Sequence, residues 1–177
     1  IYYYIMDLKH VDDVIASNHY GIFATQAIAV VNIPIAIASA MSSAMIPGIS
    51  ASYARGSFEQ TRRQVSKAIQ MTMLIAVPAM VGMAVLPKPI MQFIFPQKEA
   101  LDMASGLLAV LAVTIVLYGL STLTNAVLQG IGRVNTPVLH AAIALVIQVA
   151  GLIVLLFKTQ LDLYALACAN IIYSLVM

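Results

Sequence analysis

Two kinds of residue in this chain could do chemistry, and neither is suited to making or breaking bonds. Thr25, Asn32, Ser39 and Ser43 are spaced seven, seven and four apart, so at 100° per residue they share one narrow arc of a helix. Thr114, Tyr118, Ser121, Asn125 and Gln129 step by four, three, four and four and also fall on one helical face. Uncharged donors and acceptors in such stripes suit either the lining of a hydrated cavity or hydrogen bonds between helices. Both readings stand for each stripe. The other chemistry is electrostatic: Arg55, Arg62, Arg63 and Lys67 lie within Ile46 to Lys67 against the single acid Glu59, and Arg133 stands in a later turn. Basic side chains at a membrane surface attract lipid phosphate by about 1 kcal/mol each, or simply fix topology.

Catalysis is not indicated. All seven acids lie in polar segments or at helix ends, which leaves no carboxylate relay inside an apolar span. There is no Walker A motif, no HExxH, no GxSxG and no Cys/His cluster at metal spacing. His10, Asp12, Asp13 and His19 are spaced too irregularly to promise metal geometry. The chain is therefore expected to be no enzyme, with no catalytic residue, no metal and no cofactor. Cys168, alone in an apolar run, reads as a small packing residue. A net charge of +2, with no basic patch carrying interleaved aromatics, excludes a nucleic-acid partner.

The elements that carry these residues belong in a lipid bilayer. Hydrophobic residues make up 62% of the chain and charged ones 9%, with mean hydropathy +0.95, far from soluble composition. The fold class is all-α, a polytopic transmembrane bundle of about five spans: residues 21–46, 65–86, 101–128, 138–157 and a short 161–177. Pro34 falls inside the first span and predicts a kink, whereas Pro47 is expected to close it. Ala36, Ala40 and Ala44, four apart, would let another helix approach closely. Residues 46–67 then read as a polar hinge. Pro87, Lys88 and Pro89 end or bend the second span, and Gly130 to Pro137 reads as a helix C-cap with a turn. Tyrosines and acids in residues 1–20 mark an interfacial loop. The hinge and the Arg133 turn carry net +4 and the alternate polar segments net −2, which places the hinge, as the basic mouth, in the cytoplasm. The absence of a starting Met and the shortness of 161–177 suggest a fragment of something longer, 1–177 being a single unit.

In combination, IPIAIASAMSSAMIPGISASYARG, VPAMVGMAVLPKPIMQFIF and YGLSTLTNAVLQGIGRVNTPV resemble the C-terminal half of the multidrug/oligosaccharidyl-lipid/polysaccharide (MOP) exporters. The polysaccharide-transporter branch, with its stage V sporulation protein B type members and lipid II flippase relatives, is the nearest in pattern. The resemblance implies two MATE-like lobes around a central cavity, the first lobe missing here. It also implies alternating access, and export or flipping of undecaprenyl-linked oligosaccharide or peptidoglycan precursors across a bacterial inner membrane. Partners would be the lipid bilayer, a lipid-linked sugar substrate and the rest of the same transporter. Lipid II flippases of the best-known type carry an arginine in the matching first span, where this chain has Thr25, Asn32, Ser39 and Ser43 instead. A drug/cation antiporter of the same superfamily and a membrane-embedded glycan or lipid transferase are the alternative functions.

Overall fold

The computed structural model describes residue 2 and residues 13–95, 100–158 and 162–177. Every regular element among them is helical. Hydrocarbon offers backbone N–H and C=O groups no water, so a spanning segment must pair them within itself. Helix α1 (Asp13–Gly21) passes through a π-helical turn (Ile22–Ala27) directly into α2 (Ile28–Ala54). There follow α3 (Phe58–Val85), the short α4 (Pro87–Ile94), α5 (Leu101–Gly130), α6 (Asn135–Lys158) and α7 (Asp162–Val176). Four stretches are long and apolar enough to cross a membrane: Ser17–Ala54, Phe58–Val85, Leu101–Gly130 and Asn135–Leu156. The fifth expected span appears as α7, at 15 residues shorter than a bilayer requires.

The polar hinge expected at 46–67 is a correction, because the structure reduces it to a three-residue turn. Helix α2 continues through Pro47 to Ala54, and α3 begins at Phe58. Pro47 lacks an N–H, so its cost is one freed carbonyl at Ser43, and both residues lie on the exposed side of the helix. What stops α2 is Gly56, at φ +73. The Gly56 N–H donates to the Tyr53 carbonyl (2.9 Å) and the Ser57 N–H to the Ser52 carbonyl (3.1 Å), the paired bonds of a Schellman cap. The α5–α6 turn repeats the device. Gly132 sits at φ +85, its N–H donating to Gln129 (3.0 Å) while the Arg133 N–H donates to Leu128 (2.9 Å). This is the cap that the GIGR sequence led us to expect.

Helix α5 is the hub. It packs against α2, α3, α4, α7 and the π-turn, and its Leu107, Leu108, Leu111 and Ile115 are wholly buried with Val30 of α2, Met91 of α4 and Leu156 of α6. Half of its most apolar window is buried against 6% for α6, which turns Val138, Leu139, Ile143, Leu145, Val146 and Val154 outward. Leu86 precedes Pro87 and leaves the helical region at φ −118, ψ 43, ending α3 as the Pro-Lys-Pro sequence implies. Lys88 of α4 then pairs with Asp102 in the first turn of α5 at 2.6 Å, both well exposed. At such exposure the pair adds little stability.

The two caps make a direct prediction. Gly56→Ala and Gly132→Ala should each cost about 1 kcal/mol, since a Cβ is strained at positive φ. Gly82→Ala, in a regular helix with open space around it, should be neutral or slightly stabilising. Thermal unfolding midpoints of the purified protein in detergent would separate the three.

Candidate functional site

One face of α2 determines what its opposite face can meet. Val31, Pro34, Ala38, Ser42, Ile49 and Ser52 are buried, at the three- and four-residue spacing of a single helical side. At the middle of that face, α2, α3 and α5 come together through small residues. A Cβ built on Gly119 would lie 3.3 Å from Thr72 Cγ2, 3.7 Å from Ala76 Cβ and 4.0 Å from Ala38 Cβ. Ser42 donates to its own Ala38 carbonyl at 2.9 Å and lies 3.4 Å from the Thr72 hydroxyl. Nearer the turn, Ser52 shares its proton between the Gly48 carbonyl (3.0 Å) and Gln64 Oε1 of α3 (3.2 Å). The close approach is thus made by Ala38 and Ser42. Ala36, Ala40 and Ala44, from which it was expected, are exposed.

The first polar stripe lies on that outward side. Thr25, Asn32 and Ser43 are exposed and Ser39 is half-buried. Thr25, inside the π-turn, donates to the Gly21 carbonyl at 2.6 Å. Around the stripe are Ala29, Ala36, Ala40, Ala44 and Pro47, all exposed. The outward side of α2 therefore carries a strip of small and polar residues beside the exposed Ile33 and Ile37, while that of α6 is bulky and apolar. Lipid tails are matched by the second surface; the first suits protein or water.

The second stripe has a different fate. Thr114 is wholly buried and donates to the Leu111 carbonyl at 2.6 Å. The Tyr118 hydroxyl donates to Asn170 Oδ1 of α7 at 3.1 Å, and its ring lies 6.1 Å from that of Tyr173. Ser121 and Asn125 are buried along the same side, with the Ser121 hydroxyl unpartnered among the described residues. Gln129 alone is exposed. The two stripes are not brought together. The first faces out of the bundle, and the second is largely buried, with Tyr118 joining α5 to α7. Asn170 and Tyr173 of α7 both meet Tyr118. The sequence reading missed Gly119, Thr72 and Gln64, although small residues at 72, 76 and 119 were a visible signal for close packing.

The basic residues share one end of the bundle. Arg55 lies in the α2–α3 turn, with Arg62, Arg63 and Lys67 in the first turns of α3. The Cβ position of Gly130, at the end of α5, lies 2.8 Å from Ser50 Oγ and 2.9 Å from Ile46 Cγ2, which sets the turn carrying Arg133 beside the same end of α2. Arg63 bonds Glu59 one turn earlier at 2.7 Å. No group of three or more His, Cys, Asp or Glu side chains that could hold a metal forms among the described residues. His10 and Asp12 lie outside them.

The seam can be tested on its own. Tyr118→Phe should destabilise the protein by about 0.6 kcal/mol, the usual worth of a hydrogen bond between membrane helices. Asn170→Leu added to it should then cost no further hydrogen-bond energy, a coupling read from a double-mutant unfolding cycle.

Comparison with known proteins agrees with this architecture. The MatE family model matches residues 23–155. Lipid II flippase MurJ of Bacillus subtilis (strain 168) is similar at 28% identity over 154 residues, covering 83% of this chain and 28% of that protein. The chain thus spans less than a third of the length of this relative. No solved structure matches. A family match across three of the four long apolar helices and most of the first, joined to the all-helical bundle, makes the chain a multi-pass plasma-membrane protein that belongs to the MatE family of the MOP exporter superfamily.

Proposed function

We propose that the chain is part of a transporter that flips or exports undecaprenyl-linked oligosaccharide or peptidoglycan precursors by alternating access, without covalent chemistry. The observation that carries this reading is the outward face of α2. Asn32, Ser43 and the half-buried Ser39 stand among exposed alanines, with the exposed Ile33 and Ile37 alongside, on a helix long and apolar enough to cross the bilayer. In lipid these groups would be stranded. Against a water-filled cavity they hydrate freely and can hydrogen-bond a sugar or peptide headgroup as it passes. Similarity to a protein named as a lipid II flippase supports a lipid-linked cargo. The cavity would be closed by a second lobe of the same transporter. The basic end, with Arg55, Arg62, Arg63, Lys67 and Arg133, would be its cytoplasmic mouth, in keeping with the positive-inside rule.

Alternating access requires no group that changes covalently, only two arrangements of the helices that bound the cavity. Tyr118, bonded to Asn170 across the α5–α7 seam, and the buried Ser121 and Asn125 then belong to the wall rather than touching cargo.

Replacing Asn32, Ser39 and Ser43 together by Leu should lower translocation of a lipid-linked saccharide by tenfold or more, on the order of 1.4 kcal/mol of lost stabilisation for polar cargo in the cavity. Folding yield and melting temperature should be unchanged. The measurement is flipping by the full polypeptide in proteoliposomes. Unaltered flipping by a folded triple variant would count against the reading, whereas Asn125→Leu is expected to act through stability.

A further inference from the structure

At the end of the bundle away from the basic residues, α3 gives way directly to a second, short helix. Lys67 and Lys88 bound twenty consecutive uncharged residues, 68–87. At about 1.5 Å per residue that run matches the hydrocarbon thickness of about 30 Å, so Lys88 marks the far boundary of the bilayer. Its ammonium meets Asp102, in the first turn of α5, at 2.6 Å. The spans on both sides of α4 (Pro87–Ile94) therefore reach that boundary together. Leu74, Val81 and Val85 of α3, spaced seven and four apart, are exposed along one side, and the surface suited to lipid tails thus extends to the last turn of the span.

Around α4 itself four different sides can be distinguished. At 100° per residue, Lys88 and Gln92 share one edge and Ile90 and Ile94 the opposite one. Of the two remaining sides, one carries Met91, which is wholly buried, and the other Phe93, which is 92% exposed. Met91 and the partly buried Ile90 belong to the hydrophobic core that α5 organises, so the protein holds α4 by one side only. The apolar arc continues past that contact to Ile94 and Phe93, where nothing in the described chain covers it. Lys88 and Gln92, both exposed, complete the circle.

We infer that α4 lies in the plane of the membrane interface, in the leaflet opposite the basic end, with Phe93 inserted among the lipid acyl chains. A short amphipathic helix in that position keeps its polar edge among the headgroups and its apolar side at the acyl boundary. This is the order found around α4: Lys88 and Gln92 toward water, Ile90 and Ile94 toward hydrocarbon, Met91 on α5 and Phe93 on lipid. The change of direction begins at Leu86, which leaves the helical region at φ −118, ψ 43 just before Pro87. In water a phenyl ring so exposed would keep its apolar surface hydrated, and burial among acyl chains removes that cost. The partner is the bilayer itself and not the cargo, so α4 can occupy this place whatever the chain transports.

The test is a depth measurement on the full polypeptide in phosphatidylcholine and phosphatidylglycerol vesicles. Phe93→Cys, Gln92→Cys and Val81→Cys are made singly in a background with Cys168→Ser and every other cysteine replaced, and each is labelled with a nitroxide. Electron paramagnetic resonance then compares relaxation by oxygen, which concentrates in the acyl region, with relaxation by a water-soluble nickel chelate. Oxygen should dominate at position 93, as at position 81 on the lipid-facing side of α3, and the balance should reverse at position 92, one residue away. The Phe93 ring takes no part in the core, so its replacement leaves the packing intact, and circular dichroism checks the fold. Dominant nickel contact at position 93 would overturn the inference by placing that side of α4 in water. Contact with neither reagent would overturn it by placing a protein surface there, from another part of the transporter or a second copy.

Discussion

The three-helix crossing at Gly119 is the contact on which the remaining geometry depends. Lipid tails are as apolar as a leucine surface, so helices in a bilayer are not driven together by burial alone and need close van der Waals fit. Gly119 has no side chain, and Ala38, Thr72 and Ala76 pack into the space that it leaves. Above this point Ser42 satisfies its hydroxyl on its own helix, so no donor is stranded where the backbones approach. Ser52 and Gln64 make the second fastening near the turn. With α2 held along that side, its rotation about its own axis is fixed, and the residues left facing outward follow by geometry.

The proposed function therefore rests on packing. Asn32 and Ser43 are presented to whatever lies beyond α2 because Val31, Pro34, Ala38 and Ser42 are consumed in holding it. The contrast with α6, whose outward Leu, Ile and Val residues belong against lipid tails, separates two kinds of surface on one bundle. No acid occupies the middle of a described span, so under the proposed function the polar surface would act by hydration and hydrogen bonding. The two glycine caps close both turns at the basic end within a few residues.

Much of the fold could be read from the order of residues. The apolar spans, the Pro-Lys-Pro stop and the glycine cap before Arg133 all depend on local physics, since hydropathy, a missing N–H and a positive φ act within a few residues. The region 46–67 misled because Pro47 and a run of polar residues resemble a loop, whereas an exposed helix end tolerates both and only Gly56 enforces the stop. The identity of the packed face was not legible either. Small residues surround α2 at 36, 38, 39, 40, 42, 43 and 44, so periodicity alone cannot choose among them, and the partner helices decide. The π-turn adds a further displacement: Thr25 lies inside it, where regular 100° steps no longer relate it to Asn32. For α5 the stripe was correctly seen as one face, but whether that face meets a cavity or another helix depends on Asn170 and Tyr173, which come some fifty residues later.

The central claim is that the outward side of α2 meets water and the outward side of α6 meets lipid. Single cysteines at Asn32, Ala36 and Ser43, and at Val146 and Ile147, in a Cys168→Ser background, can be challenged in intact membranes with a membrane-impermeant maleimide. Labelling at the three α2 positions with none at the two α6 positions is the predicted result. Equal silence at Asn32, Ala36 and Val146 would contradict the account, because it would put the polar face of α2 in a dry environment.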